Sequence, residues 1–290
     1  MQNSRGILLI LVSMAAFTLE DTLLKLLSAT IPVGQILVGL GFFGGVLFLL
    51  MALRKGHRPF VRAYWTPLLV LRAASEGVVA VTFVTALALV DISTVAAVFQ
   101  TTPLATTLGA ALFLGEKVGW RRWTAILVGF SGVLLIVRPG FASFDPAILL
   151  VLATVVCIAF RDLVTRAMDV SVPSMVVGFQ AFAAVVPAGA LLLIFGGQTA
   201  VTTTPAFISI LLTASTFSVI GYFALVTALR IAETAVIMPF RYARLVFSMI
   251  TGVIVFGERP DLAMLIGSAL IIGAGLYTFM RERQLARTSP

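Results

Sequence analysis

Charge is scarce in this chain, and so are the residues that bind metals or form disulfides. Only 11% of its 290 residues are Asp, Glu, Lys or Arg, against 60% hydrophobic, with one histidine and one cysteine. A soluble domain averages about 25% charged and 45–50% apolar. A water-soluble fold has too little polar side chain here to cover its own surface, and lipid as solvent removes that need. The lone Cys157 lies in an apolar run with no disulfide partner. One His and one Cys cannot build a metal-ligand cluster, and no G-x-x-x-x-G-K-[ST] segment is present to cradle a nucleotide phosphate. No cofactor is expected, and the chain is not read as an enzyme. A carboxylate-only, lipid-modifying transferase is the one enzyme reading that several acids at membrane depth leave open. The loops are too short for a nucleic-acid-binding domain, so the net charge of +8 is read as membrane topology.

What the chain does have is apolar length. Leu26–Leu53, Ala147–Phe160 and Val170–Leu229 contain no charged residue, and about 20 mostly apolar residues cross a hydrocarbon core about 30 Å thick. Pro, Gly and charge clusters divide the runs into ten predicted spans, 6–27, 33–53, 67–90, 93–114, 121–138, 146–166, 173–195, 206–229, 233–256 and 262–280. Ser13-Met14-Ala15 only weakly resembles a signal-peptide cleavage site, so the first run is read as a retained span. Thirteen basic residues fall on the side shared by both termini: Arg5, Arg54, Lys55, Arg58, Arg62, Lys117, Arg121, Arg122, Arg166, Arg230, Arg281, Arg283 and Arg287. Only Arg138 and Arg259 fall on the other. Cytoplasmic loops collect Lys and Arg, which predicts a bacterial-type inner (plasma) membrane protein with both termini cytoplasmic.

The sequence also repeats itself. Asp21-x3-Lys25 with Pro32 returns as Asp162-x3-Arg166 with Pro173, at an offset of 141. At an offset of 142, Thr85-Ala86-Leu87 with Asp91 returns as Thr227-Ala228-Leu229 with Glu233, and Gly115-Glu116 as Gly257-Glu258. The halves are 1–141 and 142–290, with five spans each. An odd number of spans inverts the second copy, a construction of secondary transporters whose substrate site lies near the midplane.

The stretches PLATTLGAALFLGEKVGWRRWTAILVGFSGVLLI (Pro103–Ile136) and FSMITGVIVFGERPDLAMLIGSALIIGAGLY (Phe247–Tyr277) resemble the EamA-type branch of the drug/metabolite transporter superfamily. The resemblance implies an all-α fold of ten transmembrane helices, two inverted five-helix repeats around a central cavity. It also implies passage of small metabolites without ATP hydrolysis: often amino acids, in other members nucleotide-related compounds or vitamins. Pro103 has no proline at its counterpart Leu245, and Pro239 has none at Ala97, so the two fourth spans are expected to bend at different depths.

An ionisable group at membrane depth costs about 2.5–3.5 kcal/mol on insertion scales and defaults to a functional hypothesis. Arg72 and Glu76 share a helix face at i,i+4 and read either as cavity lining or as a structural ion pair. Arg241 and Arg244 follow Pro239; two guanidinium groups there suit a carboxylate or phosphate, or pair with Glu76, Glu20 or Asp21. Gln100 and Thr101, with Thr102, precede Pro103 and read as pocket donors or as hydrogen-bonding glue between helices; Tyr222 and Gln180 are of the same kind. Glu20, Asp21 and Asp162 are candidates for gating or proton coupling, since burial raises a carboxylate pKa, while Lys25 and Arg166 read as snorkelling ends. Glu116 and Glu258 are read as caps for the helix that follows each. Gly129, Gly132, Gly267, Gly273 and Gly275 allow close helix contact within one chain or in a homodimer.

Together these features predict alternating-access movement of amino acids and related small metabolites across the inner membrane, in the export direction. The alternative is uptake of a nucleotide-like or vitamin substrate. The expected partners are the substrate and the lipid bilayer, without nucleic acid, in a monomer or homodimer.

Overall fold

The computed structural model describes residues 2–113, 115, 119–140, 144–166, 172–232 and 234–288. The helices are α1 (Gln2–Ser28), α2 (Val33–Arg54), α3 (Pro67–Leu89), α4 (Ile92–Phe99), α5 (Thr102–Phe113), α6 (Trp120–Val137), α7 (Ile148–Arg166), α8 (Ser174–Phe195), α9 (Pro205–Ile231), α10 (Thr234–Ile237), α11 (Ala243–Phe256) and α12 (Leu262–Thr288). Two 3-10 turns, Arg62–Tyr64 and Met238–Tyr242, complete the regular structure among the described residues. Among the described residues, ten stretches are long and apolar enough to cross a membrane, and the protein is a polytopic α-helical membrane protein.

The local chemistry explains where the helices begin and end. Pro32 and Pro173 occupy the N-cap positions of α2 and α8, where a missing N–H costs nothing. Gly115 and Gly257 have φ of +66° and +67°, the left-handed conformation that ends a helix and that glycine adopts without a Cβ penalty. This accounts for the glycine of each Gly-Glu motif.

Two spans are interrupted. The fourth breaks at Gln100–Thr101, between α4 and α5, and the ninth passes through the 3-10 turn Met238–Tyr242 before α11. Despite the displaced prolines, α5 and α11 start within one residue of the 142-residue offset. The prolines instead change the local geometry: the turn holding Pro239 is 3-10, whereas the matching residues of the first half lie in α4 and its cap.

Packing follows neither sequence half. One compact unit comprises Met1–Thr18, Val90–Ala159 and Ile220–Pro290; the second comprises Leu19–Leu89 and Phe160–Val219. Each therefore draws on both halves, and α1, α7 and α9 each contribute to both units. Within the first unit α6 packs along α12 and α4 along α11; within the second, α8 packs along α2 and α3. Glycine makes the closest of these contacts. A Cβ on Gly132 would lie 2.6 Å from the Gly267 carbonyl oxygen, and one on Gly267 equally close to that of Gly132. Gly129 gives way to Leu104 in the same manner, whereas Gly273 faces open space. The second unit is cored by Leu24, Ile36, Leu37, Val84, Val185 and Leu211.

Candidate functional site

Each unit carries polar groups at membrane depth. In the second unit, α3 presents Arg72 and Glu76 one turn apart, with Nη2 and Oε2 3.7 Å apart. The i,i+4 spacing foresaw that pair, but Glu76 has a closer partner. Arg161 of α7 donates from Nη1 to both Glu76 oxygens, at 3.0 and 3.2 Å. It also donates from Nη2 and Nε to Asp162 Oδ1, at 2.8 and 3.1 Å. Two cations and two anions thus form one chain of charge, with Arg161 bridging the carboxylates. Such mutual pairing offsets the cost of withdrawing each ion from water.

On α1, Asp21 is buried, at 4% exposure, and Glu20 is half-buried. The Lys25 ammonium donates to the Leu87 carbonyl at 2.9 Å, in the last turn of α3, where a cation also meets the negative end of the helix dipole. Lys25 is therefore tied to the protein and is not a snorkelling end. Gln180, buried in α8, donates its amide to the Tyr64 carbonyl.

The first unit arranges its polar groups around the two interruptions. Ending α4 early leaves carbonyls without helical partners. Thr101 Oγ1 donates to the Val98 carbonyl at 2.6 Å, and Thr102 Oγ1 to that of Phe99 at 2.5 Å. Gln100 Nε2 donates across to the Arg241 carbonyl at 3.3 Å, joining the break in the fourth span to the turn in the ninth. Arg241 is exposed, with Nη1 3.7 Å from Met238 Sδ.

Arg244, the second residue of α11, is placed by two aromatic rings. Its guanidinium carbon lies 4.9 Å from the Phe99 centroid and 5.4 Å from that of Phe17. Phe17 is fixed in turn against α9: a Cβ on Gly221 would lie 2.9 Å from its ring, and Ser13 Oγ donates to the Gly221 carbonyl at 2.7 Å. The Tyr242 hydroxyl lies in a notch over Gly275 of α12, 1.5 Å from where a Cβ would stand. Tyr222, on α9, is half-buried.

Glu258 corrects its sequence reading. It does not cap α12, which follows it. Its Oε1 accepts from the Ile92 N–H at 2.6 Å, and its Oε2 from the Ser93 N–H at 3.1 Å and the Ser93 hydroxyl at 2.5 Å. A carboxylate from the second half thus caps α4 of the first. The residue at the N-cap position, Asp91, makes no side-chain cap bond. Gly252 leaves the room, since a Cβ there would lie 2.3 Å from Glu258 Oε2. Glu116, Lys117 and Glu233 lie outside the described residues, as do the side chains of Arg166, Arg230 and the C-terminal arginines.

Of the predicted site residues, the structure brings Arg72, Glu76 and Asp162 into one group and Gln100 and Arg241 into another. Thr101 is spent on its own helix. Arg161, Phe17 and Phe99 were missed as members. Arg161 carried a signal, since it is itself a membrane-depth charge beside Asp162; among 22 phenylalanines, nothing marks Phe17, and Phe99 is marked only by adjoining Gln100.

Comparison with known proteins matches the EamA-like transporter family twice, over residues 4–138 and 145–280. The chain is 25% identical over 296 residues to the S-adenosylmethionine uptake transporter of Rickettsia prowazekii, covering 96% of this chain and 94% of that protein. It is 30% identical over 247 residues to the riboflavin transporter of Brucella anthropi, covering 84% and 87%. It is 24% identical over 270 residues to the pseudopaline exporter CntI of Pseudomonas aeruginosa, covering 93% and 94%. Among the solved structures that match, a crystal structure covers 96% of this chain and 98% of its own, with a TM-score of 0.66 and 20% identity, which establishes likeness of fold alone.

Proposed function

The chain belongs to the EamA-like transporter family, and from that premise we propose that it carries a small metabolite bearing both a planar heteroaromatic ring and a charged or polar group. Arg244 between Phe17 and Phe99 is the observation that carries this reading. A guanidinium stacked on rings is planar and pre-organised, and it suits both an anionic group and a further aromatic face. The interrupted spans add backbone carbonyls and the amide of Gln100 beside it, and irregular backbone at membrane depth is tolerated where it lines a cavity. In this reading Arg241, Tyr242 and Tyr222 border the same cargo, and Thr101 maintains the break. Two of the named relatives point the same way, since S-adenosylmethionine and riboflavin both contain fused heteroaromatic rings.

Amino-acid export is the second reading. A zwitterion would need both arginine and glutamate free to bind it, but Arg72, Glu76, Arg161 and Asp162 are engaged with one another. That group is better placed to hold a gate, with Glu20 and Asp21 as the carboxylates for any proton coupling. The inverted repeat of 1–141 in 142–290 supplies matching elements for two opposed gates in alternating access, and the excess of basic residues sets both termini in the cytoplasm.

Counterflow in proteoliposomes tests the reading. Labelled riboflavin or S-adenosylmethionine is expected to accumulate against the unlabelled compound inside, and to do so more than labelled amino acids. Accumulation of amino acids alone would return the chain to the second reading. No accumulation of any metabolite class would refute carriage itself.

A further inference from the structure

An apolar groove of about 680 Å³ runs between α3 and α8 in the second unit. Its walls are Ala, Val, Leu and Pro187, with Gln180 as the polar member along the helices. The Gln180 amide is spent on the Tyr64 carbonyl. Val70, Val78 and Leu191 on its rim are 47%, 51% and 54% exposed, so the groove opens outward. From Val70 to Val81 the lining covers about 17 Å of helix at 1.5 Å per residue, on the order of one leaflet of a 30 Å core.

One end of the groove is built differently. Trp65 closes it and donates Nε1 to the Pro59 carbonyl at 2.9 Å, beside Arg58. The turn Arg62–Tyr64 leads directly into Trp65, and Gln180 pins that turn to α8. Arg58 and Arg62 are exposed, and no acidic residue occurs between Arg54 and Ser75. The site is thus an apolar slot about one leaflet deep, with an aromatic side chain at its mouth and two exposed arginines in the segment that leads into that side chain.

We propose that the groove holds one acyl chain of an anionic phospholipid, with the lipid phosphate at Arg58 and Arg62. Tryptophan favours the headgroup level, and basic residues at the membrane surface attract anionic lipid. The proposal is independent of the cargo, since it uses none of the residues placed around Arg244.

The test is native mass spectrometry of the whole purified chain titrated with dioleoyl-phosphatidylglycerol or dioleoyl-phosphatidylcholine. The unaltered chain is expected to retain one phosphatidylglycerol in preference to phosphatidylcholine. The double variant Arg58→Gln/Arg62→Gln, altered only at exposed turn residues, is expected to lose about tenfold of that preference. Ala74→Phe, which places a ring in the groove from an exposed position, is expected to lose retention of phosphatidylglycerol with both arginines intact. Equal retention of the two lipids by the unaltered chain overturns the proposal. So does undiminished binding in Ala74→Phe, or a lipid-free dimer that Ala74→Phe disrupts.

Discussion

In one unit four ionised side chains, Arg72, Glu76, Arg161 and Asp162, are held against one another; in the other, Arg244 lies between the rings of Phe17 and Phe99. A carboxylate partner cancels most of the field of a guanidinium. A phenyl face cancels less, being worth about 0.5–2 kcal/mol. The first arrangement behaves as structure, because each charge already has its complement. The second orients a planar cation by its faces, the kind of stacking that suits guanidinium recognition of planar groups. Both satisfy the rule that charge at membrane depth needs company: carboxylates and guanidinium groups lock the first group to itself, and rings set the plane of Arg244 in the second.

The sharpest way to break that contrast is Arg244→Ala, expected to abolish counterflow while the protein remains folded and inserted by gel filtration and thermal melting. Arg244→Lys keeps the charge but loses the planar stack and should recover only a minor part of the flux. If lysine restores full transport, stacking is irrelevant. In the other unit the loss should fall on stability. Glu76→Gln leaves two arginines facing one carboxylate and is expected to cost about 3 kcal/mol, read as a lower thermal midpoint in detergent. Replacing both partners, as in Glu76→Leu with Arg161→Leu, should regain much of it.

The cap between the halves is expected to matter less. Glu258→Gln weakens charge-assisted bonds to Ile92 and Ser93 and should cost about 1.5–3 kcal/mol, and Gly252→Ala should act in the same direction by crowding the carboxylate. Denaturation midpoints of the two variants against the unaltered protein check this.

The smallest effect belongs to Asp261, at the start of α12. The hydrogen bond from Arg138, and another from the Met264 N–H at 2.8 Å, hold its carboxyl below the ordinary value of 3.8. A lowered folded-state pKa contributes stability that is present above the unfolded value and lost as pH falls through the folded one. The side chain is half exposed, and solvent screens the pair to a fraction of a kcal/mol. Asp261→Asn should therefore narrow the stability gap to the unaltered protein only as pH drops below about 3.8, measured by thermal melts across that range.

The spans were legible because apolar length against hydrocarbon thickness is a one-dimensional property. Observed spans such as Val33–Arg54 and Leu262–Met280 lie within a residue of the sequence reading. The Arg72–Glu76 pair was legible because helical geometry fixes its spacing. Glu258 was misread for the complementary reason: its partners, Ile92 and Ser93, lie 166 and 165 residues away, and nothing local names them. Phe17 and Phe99 stayed hidden because an aromatic residue in an apolar run looks the same whether it faces lipid or a guanidinium.

By itself, then, the sequence determined that this protein lives in lipid, crosses it ten times and repeats its own pattern, since composition and periodicity act along the chain. Only the tertiary structure decided which half supplies each partner. It gave Arg161 to Glu76, two phenyl rings to Arg244, and Glu258 to the start of α4. Electrostatic and packing energies depend on distance in space, and folding draws each compact unit from both halves, so the residues that complete each site come from far along the chain.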